Sequence, residues 1–110
     1  MAYNQELVIR IQNALRLFPE EFSEKKMFGG LSFLYLGKMT VGVIKDEMVV
    51  RVPSNKMDKE LSKPFTRPMN FTGKPMKEFV FVSEEGFQTE EQLQYWIEMG
   101  LEHAKSKLES

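Results

Sequence analysis

The chain has 110 residues, an ordinary hydrophobic fraction and a net charge of −1, which fits one domain, residues 1–110, around a single small core. With no cysteine and one histidine, His103, disulfides, thiolate chemistry, Cys-based zinc sites and histidine-activated nucleophiles are excluded. No apolar run approaches the roughly 20 residues that span a bilayer, and the opening MAYNQEL lacks the blocks of a signal peptide, so a cytoplasmic protein without membrane contact is expected.

Taken in chain order, Val8, Ile11, Leu15 and Phe18 recur at helical spacing, with Leu7 and Ala14 on the same side. The pattern predicts an amphipathic helix over residues 4–18, capped by Asn4 and ended by Pro19. The period then falls to two. Lys25–Phe28, Leu31–Leu36, Lys38–Ile44 and Glu47–Val52 read as strands joined by short turns at Leu36-Gly37-Lys38 and Lys45-Asp46, an antiparallel meander. Met39, Val41 and Val43 are expected on one face, to meet Met48, Val50 and Val52 beneath the helices. Ser54 is positioned to cap a short helix reaching Leu61. Pro64, Pro68 and Pro75 punctuate an irregular stretch, and a last strand follows at Glu78–Ser83. Leu93, Trp96, Ile97, Leu101, Ala104 and Leu108 mark a final helix over residues 90–108. Thr89 and Gln92 stand at capping-box spacing before it. Helices at the ends and hairpin-connected strands between them indicate an α+β fold with an antiparallel sheet of five to six strands.

Charge is distributed unevenly. Residues 25–83 carry eleven basic and five acidic groups, whereas residues 84–110 carry two basic and seven acidic. The basic set Lys25, Lys26, Arg51, Arg67, Lys74 and Lys77 is interleaved with Phe28, Phe71 and Phe79. Such a set is the candidate partner or nucleic-acid surface. The plainer reading is solvated lysines around a sheet, because the sequence pI of 5.9 is low for an autonomous nucleic-acid binder. Arg51 stands out, since it shares the face opposite Val50 and could pair with a carboxylate or reach a ligand. The eight methionines read as core filler before partner surface.

Gly29-Gly30 is followed by LSFLYL, which is strand-like. A phosphate cradle needs a helix start there, with free N–H groups and the helix dipole aimed at the anion. Gly73-Lys74 is followed by Pro75 where a P-loop places a hydroxyl residue. The glycines Gly29, Gly30 and Gly73 are therefore structural, serving tight reversals or bulges, and Gly42 implies close approach of a neighbour. No nucleotide cofactor is expected.

The segments KKMFGGLSF, the later RV, FTGKPMK, and a final helix carrying Leu93, Trp96, Gly100 and Ala104 resemble the N-terminal domain of the TfoX/Sxy family, as does the opening MAYNQEL. The resemblance covers nearly the whole chain. It implies a small α+β domain similar in architecture to secretion chaperones. Longer members regulate natural competence, working with the cyclic-AMP receptor protein at promoters, and carry a second, helical domain. The present sequence reads as a stand-alone form without that domain. The family supplies no catalytic residues.

Glu20, Glu21 and Glu24, and Glu84-Glu85, flank helices or sit in loops, so they read as solvated acids, not an acid–base pair. His103 falls beside Glu102, off the apolar stripe, and is expected to be exposed or locally bonded; no metal site is implied. The strand Leu31–Leu36 is apolar on both faces, which points to association, with a homodimer as the expected assembly and Ile9 and Leu17 able to extend the contact. The combined expectation is a non-enzymatic protein-interaction domain, an accessory to transcription; the alternative is a direct nucleic-acid-binding protein using the basic middle segment.

Overall fold

A computed structural model describes residues 3–27, 29–70 and 75–109; of Met69, Asn70, Pro75, Met76 and Lys77 only the backbone is described. Helix α1, Gln5–Leu15, starts where Asn4 accepts a hydrogen bond from the Leu7 N–H at 3.1 Å. It stops three residues short of the expected end. The Leu17 and Phe18 N–H groups donate to Ala14 and Leu15 in a tighter final turn before Pro19. Four strands follow: β1, Ser23–Met27; β2, Gly30–Tyr35; β3, Lys38–Ile44; and β4, Glu47–Arg51. A 3-10 turn at Ser54–Lys56 leads into the short helix α2, Met57–Leu61. Ser54 is not a cap: Pro53 holds that position and no side chain bonds the turn's N–H groups. Strand β5, Thr66–Asn70, and strand β6, Pro75–Val82, precede a second 3-10 turn and helix α3, Glu90–Glu109. The capping box of α3 is reciprocal. Gln92 N–H donates to Thr89 Oγ1 at 3.1 Å, and Thr89 N–H donates to Gln92 Oε1 at 3.0 Å.

All strand pairs are antiparallel, in the order β1-β2-β3-β4-β6-β5. The six-stranded sheet and its terminal helices make the α+β arrangement that the sequence implies. The irregular proline stretch hides β5. Pro68, which lacks an N–H, is tolerated there because β5 is an edge strand.

One face of the sheet carries the main core: Leu31, Phe33, Val41, Val43, Met48 and Val50 meet Leu7 and Ile11 of α1 and Leu93, Trp96 and Ile97 of α3. Met57 and Leu61 of α2 join the same side. Trp96 is fully enclosed and its indole N–H donates to the Gly86 carbonyl at 2.8 Å. The opposite face has a smaller apolar cluster, Met39, Val49 and Phe79, bordered by Leu34, Ile44 and Phe81.

Met39 therefore does not share a face with Val41 and Val43. Phe33 pairs with Val41, but Leu34 pairs with Met39, so Thr40 is an extra residue in β3. The bulge turns Met39 to the other face, and the buried Thr40 hydroxyl donates to the Phe33 carbonyl at 2.9 Å. An unbroken alternation in sequence conceals such a bulge, because the inserted residue changes the face and not the residue types.

The glycine pair joins strand to strand. Met27 pairs with Gly30, and Gly29 takes φ +77° in the reversal between them. Gly30 is needed for space, since a Cβ there would lie 1.9 Å from the Val43 carbonyl oxygen. Gly42 is similarly overlain by the Met39 methyl and the Ser32 hydroxyl. Gly73 lies outside the described residues.

Candidate interaction surfaces

The strand register lays the candidate basic residues out across the helix-free face. Lys25, Ser32, Gly42, Val49, Phe81 and Arg67 form one row across all six strands. Lys25 and Arg67 stand at opposite edges, five interstrand steps apart, or about 24 Å at ~4.8 Å per step. Lys26 pairs with Leu31 and so belongs to the other side of the edge strand. Lys74 lies outside the described residues, as does the side chain of Lys77. The structure thus spreads the described part of the basic set over the sheet and does not gather it into one cationic patch.

Two of the cations lie over the apolar cluster. The Arg51 guanidinium lies 4.2 Å from the Phe79 ring centroid and that of Arg67 4.4 Å from the Phe81 centroid. Arg67 also pairs with Glu47. Between them Val49 is 0% exposed, although all three helices pack on the other face. Leu34, Ile44 and Phe81 remain half-buried. This face has an apolar centre and cations at its rim, where Glu47 meets Arg67.

Arg51 has a second engagement, which includes the carboxylate pairing that its position in the sequence suggested. Its Nη2 lies 3.1 Å from Nε2 of His103 and 3.7 Å from a carboxylate oxygen of Glu78, and Lys107 approaches the other oxygen of Glu78 at 3.5 Å. Of the two expectations for His103, exposed or locally bonded, the structure shows a bonded side chain that is only 4% exposed, and its partners lie far off in the chain. The same Nε2 lies 3.4 Å from Glu78 Oε1: it accepts from Arg51 when the ring proton is on Nδ1, and donates to Glu78 when the proton is on Nε2. Among the described residues that Nδ1 has no hydrogen-bond partner. Burial, and then the charge of Arg51, push the His103 pKa down. Burial also lowers that of Arg51. For Glu78 burial acts upward, but His103 and Lys107 outweigh it and hold the carboxyl below its usual range. Glu78 adopts φ +66°, a left-handed conformation unusual for glutamate, at the point where its carbonyl accepts from Val52 N–H.

A second buried acid lies at the α2–α3 contact. Glu60, whose side chain is 1% exposed, accepts from the Tyr95 hydroxyl at 2.7 Å and pairs with Lys63 at 2.7 Å. The Lys63 ammonium also lies 4.3 Å from the Tyr95 ring centroid and 5.1 Å from that of Trp96. Burial alone would lower the Lys63 pKa, but its bonds to Glu60 and Tyr95 raise it. Burial raises that of Tyr95. A shallow groove of about 430 Å³ beside them is lined by Phe65, Tyr95 and Trp96. Lys63 lines the same groove, its ammonium held by Glu60 and Tyr95.

The sheet edges are defended. β1 reads SEKKM, all but Met27 exposed, and β5 carries Pro68 and the exposed Arg67. Lysine and proline on edge strands oppose pairing with another strand. Sequence reasoning found Arg51 and Arg67 but missed Glu60, Glu78, His103 and Tyr95, whose partners are distant in the chain.

Among the described residues, no helix is long and apolar enough to cross a membrane, and no group of three or more His, Asp or Glu side chains is placed to hold a metal ion. No curated protein and no solved structure is significantly similar to the chain. The family model of the TfoX N-terminal domain matches residues 3–104. The match takes in α1, the whole sheet and most of α3, and the chain belongs to the TfoX N-terminal domain family.

Proposed function

We propose that the chain is a non-enzymatic protein-interaction domain and an accessory to transcription, as in the competence regulators its family resembles, and that it docks through the helix-free face of the sheet. The observation that carries this reading is the apolar centre of Leu34, Ile44 and Phe81, packed around Val49 and bordered by Arg51 and Arg67. Its occupant is a protein surface with apolar side chains at the centre and carboxylates at the rim, because Lys25, Arg51 and Arg67 outnumber Glu47 and Glu78, the carboxylates that the two arginines meet. The lysines and proline of the edge strands favour face-on docking over strand addition.

The alternative of direct nucleic-acid binding is disfavoured by the span between Lys25 and Arg67 and by the engagement of both arginines with carboxylates and phenylalanines. Parallel affinity captures with the wild type, Leu34→Glu and Glu84→Lys as baits test the proposal. A protein retained by the wild type and Glu84→Lys but lost with a folded Leu34→Glu supports it. Equal retention by all three contradicts it, as does salt-dependent binding of mixed duplex DNA that Arg67→Glu abolishes. If the retained protein is the chain itself, the occupant is a second copy, and sedimentation of the isolated protein shows a dimer.

A further inference from the structure

A second surface, on the helix side of the sheet, has the opposite sign. Phe18, Pro19 and Glu20 form a ridge where the chain passes from α1 to β1. A groove of about 640 Å³ lies on one side of it, floored by Leu15, Phe18, Phe22 and Phe33. Another, of about 530 Å³, lies between the ridge and α3 and reaches Leu101. We propose that the ridge and its two grooves are a docking site for a basic amphipathic segment of a partner protein, distinct from the helix-free face.

The charge of the grooves chooses that occupant. Glu20, Glu21 and Glu24 line the first, and Glu98, Glu102 and Glu109 line the second with Glu20. Against these six carboxylates the lining holds two cations, Arg16 and Lys105, and Lys105 is already held by Glu20 at 2.5 Å. One further lysine, Lys56, is drawn in to Glu102 at 2.7 Å. Carboxylates concentrated along two adjacent grooves raise a negative potential that repels nucleic acid and draws cations.

One observation independent of charge points the same way. Leu17, which precedes the ridge in the chain, is 70% exposed, a large apolar side chain left in water. A helix with apolar side chains on one face and Lys or Arg along its flanks would cover Leu17, fill the floors and supply cations to the rims. This is the helix-in-groove mode of recognition. The surface is assembled from residues 12–24 and 98–109, which the fold brings together through the packing of α1 on α3.

The test uses the full chain and two synthetic peptides with leucine at helical spacing, one with lysine and the other with glutamate at the remaining positions. The leucine–lysine peptide is expected to bind and to shift the backbone resonances of Leu17, Glu21, Glu98 and Glu102. Its affinity should fall about tenfold when Glu21→Lys and Glu98→Lys are combined, and by a similar factor as salt rises from about 50 mM to about 500 mM. Both carboxylates are exposed, and Glu21→Gln with Glu98→Gln, a milder change, should give a smaller loss in the same direction. Absence of binding, equal binding of the leucine–glutamate peptide, indifference to the charge changes, or shifts confined to the helix-free face would each overturn the proposal. Only the last of these outcomes bears on the helix-free face, and it would favour that face as the docking site.

Discussion

Gly100 of α3 sits so close to Thr40 that a Cβ on the helix would lie 2.4 Å from the Thr40 carbonyl oxygen. Thr40 is the bulged residue of β3, so the bulge and the glycine are two halves of one contact. The obstructing atoms are backbone and cannot rotate aside. Gly100→Ala should therefore destabilise the domain by about 2 kcal/mol, despite the ~1 kcal/mol that alanine gains in a helix interior. Urea denaturation measures the difference; an unchanged or raised midpoint would show that the contact is looser than described.

The Arg51–His103–Glu78 cluster predicts a two-stage loss of stability in acid. Folding lowers the His103 pKa below its ordinary 6.5, so the unfolded chain takes up the proton first. The stability contributed by neutral His103 is complete above about pH 6.5 and is lost as pH falls from there through its folded value. Glu78 is held below its ordinary 4.5, so its contribution persists to about pH 4.5 and is lost below it; Glu20, held down by Lys105, adds to that second stage. His103→Gln, which keeps an acceptor for Arg51, should remove the first stage and leave the second. Melting temperatures between pH 4 and pH 8 (an approximate range bracketing both windows) check this. A wild-type melting temperature flat between about pH 7 and 5.5 would contradict the placement of His103.

Glu60 should be the most costly exposed-type residue to truncate. Glu60→Ala removes the acceptor of the Tyr95 hydroxyl and the carboxylate partner of Lys63, whose ammonium keeps only the Tyr95 oxygen at 3.0 Å, and is expected to cost about 2 kcal/mol. Lys63→Met in the same chain should recover part of that loss, because the stranded charge is gone. A double-mutant cycle by chemical denaturation reads the coupling, and purely additive losses would mean that the two side chains do not interact.

At the β2–β3 turn Leu36 takes φ +49° and is 69% exposed, with Gly37 also at positive φ. Asparagine adopts this conformation more readily than leucine. Leu36→Asn should stabilise the domain by about 0.5–1 kcal/mol, read as a higher denaturation midpoint.

What the sequence disclosed follows from the range of each interaction. The Asn4 cap, the Thr89–Gln92 box and the reversal at Gly29 are settled within a few residues, and each is found where the residues imply. The Thr40 bulge leaves Met39, Thr40 and Val41 alternating as in a regular strand, so Met39 is assigned to the wrong face. His103 reads as a surface residue because the arginine and glutamate that meet it lie on β4 and β6. Strand β5 is masked by Pro68, which only its edge position permits. The acidic grooves join residues 12–24 to residues 98–109; Glu20, Glu21 and Glu24 read singly as solvated, because nothing near them in the chain points to the glutamates of α3.

The helix-free face is tested most directly by photocrosslinking in the cell, with a photoreactive residue at position 34 and a control at position 84. A protein joined at position 34, absent from the control and lost when Arg67→Glu is added, is the result the account predicts. Crosslinks to nucleic acid at position 34, or the same products from both positions, would contradict it.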